Sequence, residues 1–149
     1  MASNERFMPV APEAVWDALA DAYGYGYWVV GSSEIRDVDD GWPQPGTRFH
    51  HTVGVGPLRV SDHTESLEAE RPTLLRIRAK ARPLGTAKVT LTLTPLAGGT
   101  RVRMQEDPDG LTGWLKLDPF LQLLTKGRNA ESLMRLEELA LRAAERAPS

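Results

Sequence analysis

The sequence has no cysteine. That absence excludes disulfides, thiol catalysis and cysteine-ligated metals, and it fits a reducing compartment. No apolar run approaches the roughly 20 residues that a membrane-spanning helix needs, so membrane insertion is not expected. Met1 to Arg6 lacks a basic stretch followed by an apolar one, so no signal peptide is expected and the expected location is cytoplasmic. An excess of one charge is also missing. Lys and Arg number 18 against 20 Asp and Glu, a net charge of −2, which argues against nucleic acid or an anionic membrane as a bulk partner. Histidine is scarce, with three residues in the chain. His50 and His51 are consecutive and point to opposite faces of a strand, so they cannot share an ion. With only His63 to add, neither a metal nor another cofactor is expected.

What remains is ordinary globular text of 149 residues, 41% hydrophobic and 26% charged, enough for one domain over residues 1–149 with a core of its own. Arg6 to Val10 reads as a short strand. Pro12 suits the first turn of a helix, and Val15, Ala18, Leu19 and Ala22 keep helical spacing on one apolar face. The cap is weak, since Ala11 has no side-chain acceptor. Gly24 and Gly26 are expected to break that helix, with a short second helix or turn around Tyr25 to Trp28. From Ser33 to about Asp107 the chain reads as six β segments punctuated by Gly and Pro turns. With the first strand they make seven, most economically an antiparallel meander. From Leu117 through Leu121, Leu124, Asn129, Leu133, Leu136, Ala140 and Ala143 a long amphipathic helix is expected, starting near Asp118 and Pro119. The fold class is therefore α+β: a seven-stranded antiparallel sheet wrapped around a long C-terminal helix, with two short helices after strand 1.

Turns set the register. A two-residue loop at Ala97 and Gly98 pairs Leu93 with Val102, Leu91 with Met104 and Val89 with Glu106. Leu75, Ile77, Ala79 and Ala81 continue the inner face, and Arg76, Arg78, Lys80 and Arg82 the outer one. Around Gly54 to Pro57, keeping apolar groups together sets His51 opposite Val60 and Phe49 opposite Asp62. The inner face is then apolar but interrupted by His51, Asp62 and Glu106, with Thr125 and Asn129 above it on the helix. Small residues at Ala79, Ala81 and Ala87 leave room. A ligand-sized hollow with a few orienting polar groups is the expectation.

The segments Val10 to Asp17, Pro45 to Phe49, Gly99 to Val102 and Arg128 to Leu133, in this order, resemble the START-like helix-grip superfamily, and within it the polyketide cyclase/dehydrase and lipid-transport (SRPBCC) group. The resemblance spans nearly the whole chain. It implies a helix-grip fold and a deep pocket for a hydrophobic ligand between sheet and C-terminal helix. It implies no single reaction and carries over no catalytic residue.

Several side chains have two readings. His51 with Asp62 beside it is either a general base oriented by a carboxylate or a buried polar pair. Glu106 is either a buried acid or a group reaching water at the pocket mouth. Asn129 either donates to a ligand or bonds to backbone or Thr125. Tyr23, Tyr25, Tyr27, Trp28, Trp42 and Trp114 either gate a planar ligand or pack under loops. The basic outer stripe through Arg101 and Arg103 is a solvated face, or it meets an acidic partner or a second copy in a homodimer. The expected ligand-binding set joins Phe49, His51, Val60, Ile77 and Ala79 to Val89, Leu91, Met104 and Glu106. Trp114, Thr125 and Asn129 complete it. The expected function is binding of a hydrophobic or aromatic small molecule, as a carrier or sensor. The alternative is a cyclase or dehydratase that moves protons with His51, Asp62 or Glu106.

Overall fold

A prolyl nitrogen has no N–H to leave unsatisfied and its φ is already helical, so Pro12 opens the first helix. The computed structural model describes residues 2–30, 32–55, 58–81, 85–109 and 119–146. It places α1 at Pro12–Ala20, with Ala11 as an N-cap that makes no side-chain bond. Val15, Ala18 and Leu19 are buried, and Ala22 continues their face beyond the helix end. The end itself differs from expectation, because the glycines do not break α1. Asp21 does: it leaves helical geometry at φ −92° and ψ 96°, and its carboxylate accepts the N–H of Tyr23 at 3.2 Å. A 3-10 turn (Ala22–Gly24) and a four-residue helix α2 (Tyr25–Trp28) follow.

The strands are β1 (Ala2–Met8), β2 (Ser32–Val38), β3 (Arg48–Val55), β4 (Leu58–Glu70), β5 (Leu74–Ala81), β6 (Gly85–Leu96) and β7 (Gly99–Asp109). They form one antiparallel sheet in the order β1-β7-β6-β5-β4-β3-β2. A long helix α3 (Pro119–Arg146) follows, starting at the proline expected to open it. The β6–β7 register is the expected one, with Leu93 opposite Val102, Leu91 opposite Met104 and Val89 opposite Glu106. Gly98 takes φ 81° in the connecting turn, a conformation costly for residues with a Cβ.

Two further expectations need correction. The first strand is Ala2–Met8, not Arg6 to Val10, because pairing with β7 runs from Ala2 opposite Glu106 to Met8 opposite Thr100. This pairing turns the polar Asn4 and Arg6 to the same side as Met104 and Val102, where no apolar pattern announces a strand. The β3–β4 pairing is two residues away from the expected one: His51 lies opposite Asp62, Phe49 opposite Thr64 and Val53 opposite Val60. A slip of two leaves every side chain on its expected face.

The helix α3 presents Leu133, Leu136, Ala140 and Ala143 to the interior. Polar ties hold it from both sides. On the β1 side, Asn4 donates to the Lys126 carbonyl at 3.0 Å and Arg6 pairs with Glu137 at 3.2 Å. On the α2 side, the Val30 N–H donates to Ser132 Oγ at 3.1 Å and Arg135 donates to the Tyr27 carbonyl at 3.1 Å. The Tyr27 hydroxyl also bonds Glu138. Among the described residues, β1 is the strand along which α3 runs most closely; its other close neighbours are α1 and α2.

Candidate functional site

Alternation along β3 to β7 puts successive rows of side chains on the concave face. One row runs Ser66, Ile77, Val89, Glu106 across four strands, and the next toward the β3–β4 turn runs Phe49, Thr64, Ala79, Ala87. Leu91 and Met104 sit in the row beyond Val89, on the side away from that turn. Phe49, Ile77, Val89, Leu91 and Met104 are all buried, whereas Ala79 and Ala87 are only partly buried. The concave face is therefore closed over its aliphatic part and more open at the two small residues. Val60 belongs to β4 and Thr125 to α3, but their side chains lie outside the described residues, as does the whole of Trp114.

His51 is 4% exposed and packs edge-on against Phe49, with ring centroids 5.8 Å apart. Among the described residues neither of its ring nitrogens has a hydrogen-bond partner. Burial pushes its pKa below the ordinary histidine value, and the His63 backbone and the Asp62 carboxylate pull back less strongly. Asp62, directly across from it, has turned toward its own neighbour. One carboxylate oxygen accepts the His63 N–H at 2.9 Å and lies 3.4 Å from His63 Nδ1. The structure thus places His51 and Asp62 side by side without joining them by a hydrogen bond. His63 faces the other way, near His50 on the convex side, with ring centroids 5.9 Å apart. Among the described residues no three His, Asp or Glu side chains gather closely enough to hold a metal.

Glu106 lies at the seam between β7 and α3. Arg128 donates to both of its carboxylate oxygens, at 2.9 and 2.7 Å. Asn129, the next residue on the helix, is 1% exposed, and its amide nitrogen has no partner among the described residues. Sequence reasoning gave Arg128 no role, because its partner is 22 residues away on another element. It also passed over Thr64 and Ser66, both buried. Continuing the alternation from Asp62 along β4 would have found them. Ser66 donates to the Pro43 carbonyl at 2.7 Å.

The aromatics divide. Tyr25, Trp28 and Trp42 are buried with Phe49 in one packed cluster, whose ring centroids lie 4.8 to 5.7 Å apart. Tyr25 and Trp42 both donate to the Leu19 carbonyl, at 2.8 and 3.2 Å, satisfying an acceptor that the end of α1 leaves free. Burial raises the Tyr25 pKa far above the usual phenol range. These three rings belong to the core and not to a surface gate. Tyr23 and Tyr27 are exposed. On the convex face, Arg76 pairs with Glu68 at 3.3 Å, and Arg103 reaches Glu5 at 3.9 Å and Ser3 Oγ at 3.4 Å. Acidic neighbours thus offset part of the basic stripe.

No helix among the described residues is long and apolar enough to cross a membrane. Solved structures share the fold. Protein NE0264 from Nitrosomonas europaea matches with a TM-score of 0.69 at 21% identity, over 94% of this chain and 93% of its own. Ara h 8.0201 matches with a TM-score of 0.72 at 14% identity, over 94% and 96%. The di-domain ARO/CYC StfQ from the steffimycin biosynthetic pathway matches with a TM-score of 0.73 at 10% identity, over 96% of this chain and 51% of its own. No curated protein matches. The family model described as polyketide cyclase / dehydrase and lipid transport matches residues 2–140, and the chain belongs to that family.

Proposed function

We propose that the protein binds a hydrophobic or aromatic small molecule between the concave sheet face and α3, as a carrier or sensor. One observation carries this reading. The helix runs along β1 at the sheet margin, while the middle of the concave face is lined by Ile77, Val89 and the small Ala79 and Ala87. Small side chains on the concave face, away from the strand that lies closest to the helix, leave room for a guest. Membership of a family whose description includes lipid transport supports the reading. The test is native mass spectrometry of the gently purified protein, with melting curves against a panel of lipids and polyphenols. The expected result is a retained apolar adduct and a melting temperature raised by selected compounds. A clean apo mass with uniformly flat shifts would sink it.

A second reading, cyclase or dehydratase chemistry, is favoured by one feature: a buried imidazole directly opposite a carboxylate, His51 facing Asp62. A hydrogen bond between them would make a general base and its orienting group. Turnover of a polyketide-like substrate that persists in His51→Ala, Asp62→Ala and Glu106→Ala would remove this mechanism.

A further inference from the structure

The three histidines of the chain lie in one block on two neighbouring strands. His50 stands directly opposite His63, and His51 directly opposite Asp62. His50 is exposed on the convex face, its ring centroid 5.9 Å from that of His63. The His63 side chain is 13% exposed, and its Nε2 is buried without a partner among the described residues. His51 is buried on the concave face. Other charges crowd the block. Lys80 from β5 and Arg48 from β3 both act on His63. Arg48 lies 3.8 Å from Glu65, which pairs across the ladder with Arg78. From β2 come Glu34, Arg36 and Asp37, all exposed.

The block borders an irregular seam. β2 ends the sheet and has a neighbour on one side only. Its ladder with β3 shifts register twice, between Ser32 and Glu34 and between Ile35 and Val38. Such shifts leave ladder bonds unmade. By contrast, β3 and β4 pair without a break from Arg48 opposite Glu65 to Val55 opposite Leu58. Ile35 stands directly against His51 across the irregular seam, so one strand separates the buried imidazole from the sheet edge. The flanks of β2 are tied: the Val30 N–H donates to Ser132 Oγ at 3.1 Å, and the Asp39 N–H to the Arg48 carbonyl at 2.9 Å. The strand between them can part from β3 while its ends stay attached.

We propose that the three histidines make this margin acid-sensitive: protonation parts β2 from β3 and uncovers the concave face from that side. His51 is the sensor within the seam. As an imidazolium without an acceptor it would be costly to keep buried. Charge on His50 and His63 adds to that of Lys80 and Arg48, with Asp62 and Glu65 as the nearest offsets on β4. Parting the seam gives His51 water and lets the charges relax. Burial lowers the proton affinity of His51, and the neighbouring His63 and His50 lower it further against the pull of Asp62. The parted form therefore takes up protons more readily than the closed one, so a fall in pH below about 6.5 favours parting.

Hydrogen exchange of the full chain, read by mass spectrometry at about pH 7 and pH 5 and corrected for the intrinsic exchange rate, tests this. Residues 34–38 should be less protected than β6 and β7 at both values. Their protection should fall about tenfold on acidification, within the linkage limit of about tenfold per pH unit for one histidine. His51→Phe should abolish the fall. The double variant His50→Gln, His63→Gln, altered outside the concave core, should shrink it at least about twofold, and melting curves identify which variants remain folded. The proposal is overturned if β2 is as well protected as β6 and β7, since the sheet then opens only as a whole. It is also overturned if protection of β2 does not fall in acid, or falls equally in every folded variant. Release of a guest in acid is a consequence that rests on the binding reading above. The exchange experiment needs no guest, so its failure leaves that reading untouched.

Discussion

Arg128 on α3 spans the two carboxylate oxygens of Glu106 on β7 with a single nitrogen, at 2.9 and 2.7 Å. The Glu106 side chain is 11% exposed and that of Arg128 43%, so the pair is wet mainly on the arginine side. Arg128→Met should therefore strand a mostly buried carboxylate and cost about 1–3 kcal/mol in urea denaturation. Pairing Glu106→Gln with Arg128→Met should recover part of that loss. A single mutant as stable as the parent would show that the pair contributes nothing to holding helix on sheet.

Gly99 has no room for a side chain. A Cβ there would stand 2.2 Å from the Met8 carbonyl oxygen and 2.7 Å from the Phe7 ring. Gly99→Ala should cost about 1–3 kcal/mol by overpacking, read as a lower melting temperature. Adding Phe7→Ala should relieve only part of the loss, because the carbonyl cannot move without unpairing β1. Full rescue by Phe7→Ala would place the conflict in the ring alone.

Stability should fall as pH is lowered through the range where free histidine titrates. Burial lowers the pKa of His51, and it does the same for His63, helped by Lys80 and Arg48. Below the ordinary value of about 6.5 the unfolded chain then binds more protons than the folded one, so protonation favours unfolding. The loss is absent above that value, grows below it and levels off beneath the folded-state pKa values. Its slope is at most about 1.4 kcal/mol per pH unit for each group. His51→Phe should remove the part due to His51. A denaturation midpoint unchanged between neutrality and mild acid would contradict the assignment.

Ala79 and Ala87 face each other across β5 and β6. If the space above them is open, Ala79→Leu should leave the melting temperature within a few degrees of the parent and abolish ligand binding. A tightly filled interior would instead lose about 1–3 kcal/mol from the added methyl groups. Thermal melts with and without ligand separate the two outcomes.

The readable parts of the sequence were those governed by neighbours. Ala97 and Gly98 form a two-residue turn between strands of strict alternation, so the pairing of Leu91 with Met104 follows from local chemistry. Gly54 to Pro57 allows more than one loop length. Face assignment survived there because alternation has period two, while the partner of His51 did not. Asn4 and Arg6 hid β1, since polar residues facing inward give no apolar signal. Arg128 was invisible for another reason: its partnership depends on where a distant element comes to rest. The glycine-rich stretch at Gly24 and Gly26 drew attention away from Asp21, whose carboxylate ends the helix.

Residues 2–8 pair with β7 and also hold α3 through Asn4 and Arg6. During synthesis this segment is made about 90 residues or more before either of its partners, β7 (Gly99–Asp109) and α3 (Pro119–Arg146). Until then it has nothing to zip onto, and the concave face has no lid. Acquisition of the native state, and with it any guest, is thereby postponed until α3 has been made.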